Sequence, residues 1–249
     1  MWFEQDKNTD LKEERYRHEL KYLVSDAELA VLKVRLRHLM KRDPHTDETG
    51  RYLIRSIYFD DLENSAYYEN ENGVAERSKW RIRSYNRSDD AIGLENKKKS
   101  VAMTRKESCR LSRAEYDAIM NAFSERGIPR GAAPKRLPGN EHPVLNRFLI
   151  EMATRPLTPK VIVQYEREPL LFSSGNVRVT FDRKITSSVA FGDFFGGRLT
   201  GRAVMPTGQQ ILEVKYDDYL PDHIYHAVQL RHMRQETYSK YYMCRRYAL

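Results

Sequence analysis

The sequence is poor in cysteine and has no long apolar run. Its 249 residues include two cysteines, Cys109 and Cys244, which form no metal-ligand spacing. We therefore expect both to be reduced thiols, and we expect no metal held by a Cys or His cluster. No apolar stretch approaches the length of a membrane span, and the N-terminal segment "MWFEQDKNTDLKEERYR" is too polar for a signal peptide. These absences predict a cytoplasmic protein, which would contact a membrane only through a membrane-protein partner.

The motifs of several enzyme classes are also missing. The chain contains no Gly-x-Ser-x-Gly sequence, which would indicate a serine nucleophile, and no Walker-A or other glycine-rich phosphate loop. It has no long linker, no repeat of fixed period and no low-complexity tract. We therefore expect residues 1–249 to form a single domain.

Charged residues are abundant in the sequence, and basic residues outnumber acidic ones. Lys and Arg total 43 against 35 Asp and Glu, which gives a net charge of +8 and an isoelectric point near 9.3. Such an excess favours anionic partners, namely nucleic acid, phosphorylated molecules or acidic lipid. Net charge alone does not distinguish these partners, whereas the placement of the charges does.

Periodicity predicts an antiparallel sheet with peripheral helices. Ser25 and Glu28 have capping-box spacing ahead of an apolar helical stripe formed by Leu29, Leu32, Leu36 and Leu39. A second box, Ser112 with Glu115, begins a helix through about residue 123, and further helices are expected at Pro143–Thr154, "PDHIYHAVQL" and "SKYYMCRRY". Strands are expected at "RYRHELKYLV", "RYLIRSIYFDD", "SKWRIRSYN", "AIGLENKKKS", "MTRKESCRL", "KVIVQYEREPL", "VRVTFDRKI" and "QQILEVKYDD".

Several of these strands carry charges on one face and apolar residues on the other. In "RYRHELKYLV", the charged face comprises Arg15, Arg17, Glu19 and Lys21. The same design recurs in "KWRIRSY", "GLENKKK", "VRVTFDRK" and "ILEVKY". A single strand of this kind is typical of an open sheet with one solvent-exposed face. Repeated on many strands, the pattern favours charged faces that converge inside a closed barrel, where each ion needs partners.

A polyphosphate ligand with a divalent metal would supply those partners. Arg would grip phosphate oxygens as a fork and Lys as a point charge. Carboxylates would hold Mg²⁺ or Mn²⁺, which prefer oxygen ligands and bridge phosphates. Nucleic acid is not expected, because the basic residues alternate with apolar positions instead of clustering with exposed aromatic residues.

Eight segments in order carry a resemblance to a known family. "HELKYLV", "RSIYFDD", "KWRIRSY", "LENKKK", "YEREPL", "VRVTFDRKI", "LEVKYDD" and "SKYYMC" resemble the VTC domain, the polyphosphate polymerase domain of the vacuolar transporter chaperone. That domain lies within the triphosphate tunnel metalloenzyme (CYTH-like) superfamily. The similarity covers about residues 15–245, and it is specific because the segments occur together. It implies an α+β fold with a closed antiparallel β-barrel, or tunnel, of about eight strands and peripheral helices.

The resemblance also implies an activity and site residues. A VTC-like enzyme would transfer the γ-phosphate of ATP to a growing polyphosphate chain with Mn²⁺ or Mg²⁺, and it would bind ATP, triphosphate or polyphosphate. The phosphate-binding positions match Lys21, Arg81, Arg83, Lys97, Arg167, Arg178, Lys215 and Lys240. The expected catalytic set is Lys21, Arg81, Arg83, Lys97, Arg178, Lys215 and Glu213. Glu213 matches the metal-binding glutamate, and Glu19 and Glu95 are further metal-ligand candidates. Lys99, Arg105 and Lys106 remain additional candidates, because the register of their hairpin is open.

Arg17 departs from the superfamily pattern, in which Glu-x-Glu-x-Lys often stands where this chain has Arg17-His18-Glu19-Leu20-Lys21. The missing acid favours a polymerase over two-metal hydrolysis. Two alternatives stay open, namely a triphosphatase of the same superfamily and a non-catalytic scaffold that binds polyphosphate or nucleotide for a membrane partner. Asp182 could bind metal or pair with a neighbouring Arg, and Asp60 and Asp61 are expected to cap or turn the chain.

Overall fold

The computed structural model describes residues 16–248 apart from 102, 133, 231 and 232, so that Arg15 and the polar N-terminal segment lie outside the described residues. The strands of the described part are β1 (Arg17–Ser25), β2 (Lys41–Arg42), β3 (Tyr52–Asp60), β4 (Glu76–Tyr85), β5 (Ile92–Ser100), β6 (Met103–Leu111), β7 (Thr158–Phe172), β8 (Val177–Ser188), β9 (Arg202–Ala203) and β10 (Gln209–Tyr216). The helices are α1 (Asp26–Leu36), α2 (Ser65–Glu71), α3 (Arg113–Met120), α4 (Pro143–Thr154), α5 (Asp222–Val228) and α6 (Lys240–Arg246).

Eight of these strands close into a ring. The order of hydrogen-bonded neighbours is β7-β3-β4-β5-β6-β1-β10-β8, and β8 pairs back with β7 in the antiparallel sense. The junction of β6 with β1 is short, with two residue pairs. Beside it, Gln235 bridges to Tyr22, and the backbone N–H of Glu236 donates to the carbonyl of Lys21. The predicted closed antiparallel sheet of about eight strands with peripheral helices is therefore confirmed.

The apolar core lies between the ring and the helices that surround it. The ring of Phe148 in α4 lies 5.1 Å, centroid to centroid, from the rings of Phe59 and Trp80 on the outer face of the sheet. Leu32 and Leu36 of α1 belong to a second buried cluster that contains side chains of β8 and β10. Burial of each such side chain contributes about 1.5–3 kcal/mol. The inner faces of the strands carry polar and charged side chains.

Local signals place the helices where they were predicted. Both capping boxes form, because Ser25 and Ser112 each accept a hydrogen bond from the backbone N–H of the glutamate three residues later, and each glutamate accepts one in return. The helix α4 has the predicted bounds and begins with Pro143. Asp60 and Asp61 accept backbone hydrogen bonds from the first turn of α2, which confirms their capping role.

Two helix ends differ from the prediction. The helix α1 ends at Leu36, and Leu39 is 37% exposed, so Leu39 is not part of the buried stripe. The carbonyl of Leu36 accepts the N–H groups of both Leu39 and Met40, which closes a turn and buries Met40 in the place expected for Leu39. The helix α3 ends at Met120, because Phe123 turns away to form a bridge with Pro129.

Cys109 and Cys244 are buried and unpaired, as predicted, and burial raises the pKa of each thiol to about 12, which makes both unreactive. Across residues 16–248, leaving out the four gaps, each helix is too short or too polar to cross a membrane.

Candidate functional site

The inner faces of the ring enclose a cavity of about 950 Å³, which we call the tunnel. Fourteen Lys or Arg residues and five Asp or Glu residues line it. All eleven predicted site residues are among them, namely Glu19, Lys21, Arg81, Arg83, Glu95, Lys97, Arg167, Arg178, Glu213, Lys215 and Lys240. Lys99, Arg105 and Lys106 line it as well. The alternation read from the sequence thus correctly placed the charged faces inside, although the role of each residue remains a prediction.

Two glutamates and three lysines form the central cluster of the tunnel. Glu19 stands directly opposite Lys215 on the neighbouring strand, and Lys21 stands opposite Glu213. The Nζ atom of Lys21 lies 3.5 Å from Glu19 and 3.3 Å from Glu213, and that of Lys215 lies 3.3 Å from each carboxylate. Lys97 donates to both oxygens of Glu19 at 2.9 and 2.7 Å. The two acids therefore share their cations instead of forming separate pairs.

Electrostatics keep both of these glutamates ionised. Burial alone would raise the pKa of Glu19, but the ammonium groups of Lys21, Lys97 and Lys215 outweigh it and lower the pKa to about 2. Burial likewise opposes ionisation of Glu213, whose pKa lies well below its usual range because of Lys215, Lys240, Lys21 and Arg167. Both carboxylates are charged at neutral pH.

A second cluster surrounds Glu95 and positions two guanidinium groups. Arg81 donates to Glu95 from Nε at 2.6 Å and to the hydroxyl of Tyr58 at 2.9 Å. Arg83 lies 3.8 Å from Glu95 and donates to the hydroxyl of Tyr165 at 3.3 Å. The structure thus brings Glu19 and Glu213 together and places Glu95 among the arginines.

A third cluster is centred on Asp182, which is completely buried. Its carboxylate accepts two hydrogen bonds from Arg167, at 2.6 and 2.7 Å, and lies 2.6 Å from Nζ of Lys240. Arg167 also reaches Glu213 at 3.2 Å, which joins this cluster to the central one. Of the two roles considered for Asp182, pairing with a neighbouring Arg is the one seen here.

Other basic side chains that line the tunnel have partners outside these clusters. Arg17 pairs with Asp217 at 2.6 Å, and Arg178 pairs with Asp43 at 2.9 Å. The backbone carbonyl of Glu69 accepts a hydrogen bond from Arg77, and the side chains of Asn70 and Ser239 accept hydrogen bonds from Lys79.

Arg77 and Lys79 were missed as site residues. The signal was present in the sequence, because Arg77, Lys79, Arg81 and Arg83 recur every second residue along β4 and therefore share its inner face. Lys79 is half-buried and lies close to other cations. Burial, together with the charges of Arg77, Lys97 and Lys21, lowers the pKa of Lys79 to about 7.

The residues present fit a divalent metal in the central cluster. No set of three or more His, Cys, Asp or Glu side chains with ligating geometry occurs among the residues that the structure describes. Mg²⁺, however, is commonly held by one or two carboxylates, with water and substrate phosphates completing its ligands. Glu19 and Glu213 are two ionised carboxylates that share the same two lysines, and they would supply such a pair.

The comparisons with known proteins identify one family. The family model described as "VTC domain" matches residues 16–249. No curated protein matches the chain significantly. Similar solved structures include a candidate adenylate cyclase from Bacillus halodurans, with a TM-score of 0.45, 16% identity and coverage of 85% of this chain and 84% of that one. They also include the PH1819 protein of Pyrococcus horikoshii, with a TM-score of 0.40, 12% identity and coverage of 86% and 84%. The family match spans the entire ring of strands.

Proposed function

The chain belongs to the VTC domain family, and from that premise we propose that it is a polyphosphate polymerase. In this proposal the γ-phosphate of ATP is transferred to a growing polyphosphate chain inside the tunnel. The observation that carries the proposal is the charge of the tunnel, in which fourteen basic side chains face five acidic ones within about 950 Å³. Such an excess of cations suits a ligand with several negative charges in a row.

The arrangement supports positioning as the main catalytic contribution of the protein. Phosphoryl transfer requires little covalent chemistry from a protein. It depends on the in-line placement of the attacking and leaving oxygens and on neutralisation of the charge on the phosphate oxygens. Arg81 is held by Glu95 and Tyr58, and Arg167 is held by Asp182, so each guanidinium fork is fixed before a ligand arrives. Groups that are already oriented lose less entropy when they bind phosphate. No nucleophilic side chain is needed, because both reacting oxygens belong to phosphates.

Lys21, Lys97 and Lys215 would neutralise the phosphate oxygens at the centre of the tunnel. Glu19 and Glu213 would hold Mn²⁺ or Mg²⁺, which would act as a Lewis acid toward phosphate oxygens. The ammonium groups of the lysines would act as point charges, which do not require the fixed two-point geometry of a guanidinium group. The catalytic residues of this proposal are therefore the predicted ones, with Glu95 and Asp182 as positioning residues for the arginines.

Incubation of the purified protein with ATP and Mn²⁺ tests the proposal. We expect chains of increasing length on a gel that resolves polyphosphate, and we expect a chelator to abolish them. Release of phosphate without chains would instead support a triphosphatase. Binding of tripolyphosphate without turnover, across Mn²⁺ and Mg²⁺, would support the non-catalytic scaffold.

A further inference from the structure

A second cavity, of about 390 Å³, lies beside the ring of strands and shares only Tyr52 with the tunnel. We call it the outer cavity. Its walls come from residues 47–53, from the turn that joins β4 to β5, and from the paired parts of β7 and β8. A volume of this size is typical of sites for small molecules. Four basic and two acidic side chains line it, namely Arg51, Arg87, Arg183, Lys184, Asp47 and Glu166.

Two of these cations stand at backbone positions that favour glycine. Asn86 and Arg87 have φ values of 50° and 64°, and the N–H of Ser88 donates to the carbonyl of Tyr85 at 2.9 Å, which closes a tight turn. A turn with positive φ at both central residues prefers Asn-Gly, so Arg87 stands in the place of the glycine. Lys184, with φ of 52°, lies in a β-bulge of β8, where the left-handed residue is commonly glycine as well. The left-handed conformation is unfavourable for both side chains.

The turn holds Arg87 in place, but Arg87 contributes no contact of its own. The N–H of Asn86 donates to the carbonyl of Leu53, and Asn86 Oδ1 accepts the N–H of Leu53, both at 2.9 Å. Across the part of the chain that the structure describes, the guanidinium group of Arg87 forms neither an ion pair nor a hydrogen bond. Strained residues of this kind cluster at binding sites. An arginine that is strained and without a partner therefore indicates a ligand that it contacts.

A buried cation beside the outer cavity adds to its positive charge. Arg55 follows Leu53 by two residues on the same face of β3, and Leu53 lines the cavity. Arg55 is 1% exposed, and its acceptors are Gln164 Oε1 at 2.7 Å and the backbone carbonyls of residues 193, 194 and 196 at 2.7–3.0 Å. Burial, together with the charge of Arg87, lowers the pKa of Arg55. A buried charge without a paired counter-ion is unfavourable, and an anion in the neighbouring cavity would reduce that cost.

We propose that the outer cavity is a binding site for a phosphate group, carried by inorganic phosphate or by a small phosphate ester, and that it is separate from the tunnel. Arg87 would bind the phosphate oxygens as a fork and Lys184 as a point charge. The two acids do not oppose this. Asp47 Oδ1 accepts the N–H groups of Thr49 and of residue 51, and Glu166 is neutralised by Lys184 and its neighbour at 2.7 and 2.8 Å.

Titration with inorganic phosphate, followed through backbone amide NMR signals, tests the assignment. We expect the signals of residues 86–88 and of Lys184 to shift and saturate together, which reports the outer cavity separately from the tunnel. Arg87→Gln should weaken this binding by about tenfold, the loss of one charge-assisted contact. The same titration with phenyl phosphate distinguishes the two sources, because tighter binding of the ester than of inorganic phosphate identifies an ester as the ligand.

Arg130→Gln is the matched control, since Arg130 is an exposed arginine that lines neither cavity. It should bind phosphate at the outer cavity as wild type does. Equal weakening in both variants would reduce the effect to net charge and overturn the proposal. Shifts confined to the tunnel strands, or wild-type affinity in Arg87→Gln, would overturn it as well.

Arg87→Gly tests the strain independently of the ligand. Glycine adopts the left-handed conformation without steric cost, which outweighs its greater freedom in the unfolded chain. Without phosphate, we therefore expect the urea midpoint of this variant to rise above that of wild type, while its phosphate binding weakens as in Arg87→Gln. A lower midpoint would show that the arginine stabilises the turn by itself, and the argument for a ligand would fail.

Discussion

Replacement of Asp182 by Asn would remove the counter-ion of two buried cations. The carboxylate is fully buried and holds Arg167 at 2.6 and 2.7 Å and Lys240 at 2.6 Å. Asn keeps the shape of the side chain but not its charge. Removal of one partner from a buried ion pair costs about 3–5 kcal/mol, because the other charge stays buried and uncompensated. Glu213 still reaches Arg167 at 3.2 Å, so we expect a loss of about 3 kcal/mol, near the lower limit of that range.

Urea unfolding followed by circular dichroism measures this change in the free energy of unfolding. Asp217→Asn is the control, because Asp217 also pairs with an arginine at 2.6 Å but is about one-third exposed, as is its partner Arg17. An exposed pair of this kind contributes about 0–1 kcal/mol. If Asp182→Asn costs no more than this control, the account of the buried cluster is refuted.

The pH dependence gives a second measurement on the same variant. Burial raises the pKa of Asp182, but Arg167 and Lys240 outweigh it, so the pKa is lowered in the folded protein. A lowered carboxyl pKa contributes stability above the unfolded value of about 3.9, and this stability is lost as pH falls through the folded value. The difference in stability between wild type and Asp182→Asn should therefore narrow progressively as pH falls below about 4.

Three further predictions concern the tunnel. Glu213→Gln should lower kcat of polyphosphate synthesis by at least about 100-fold while tripolyphosphate binding is retained, since it removes a proposed metal ligand and no cation; unchanged turnover would exclude Glu213 from the metal site. Arg81→Ala should weaken tripolyphosphate binding by about tenfold or more, and equal affinity in calorimetry would contradict its role in phosphate binding. Because the pKa of Lys79 is about 7 in the free protein and a polyanion favours its charged form, polyphosphate binding should take up protons and weaken as pH rises through about 7. Calorimetry in buffers of different ionisation enthalpy measures that uptake, which Lys79→Gln should reduce.

Much of the fold was accessible from the sequence because period-two alternation and capping boxes are local signals. The alternation in β1 places Glu19 and Lys21 on one face, and it does so whichever strands are neighbours. The capping box of Ser25 and Glu28 marks the start of α1, and this signal lies within four consecutive residues. The end of α1 was not accessible, because Leu39 and Met40 compete for one buried position, and the turn at Leu36 decides between them.

The sequence also predicted which residues line the site, but it did not predict which of them pair with one another. The sequence places Glu95 and Glu213 alike on inward faces. Their partners depend on which strands are adjacent, and β10 lies beside β1 although nearly the whole chain separates them. This long-range pairing brings Glu213 to Glu19 and leaves Glu95 with Arg81. Lys79 was missed for a different reason, since its position in the alternation was clear but the family resemblance implies a role only for Arg81 and Arg83 of that strand.

The ion pairs at the centre connect the stability of the free protein to its proposed chemistry. Lys21 and Lys215 each contact both Glu19 and Glu213, so the free tunnel satisfies its own charges there. If Glu19 and Glu213 held a divalent metal, Lys21 and Lys215 would need other acceptors, because half-buried ammonium groups without a counter-ion are costly. Phosphate oxygens would be such acceptors. In the proposed function, metal and phosphate would therefore each compensate charges that the other leaves without a partner.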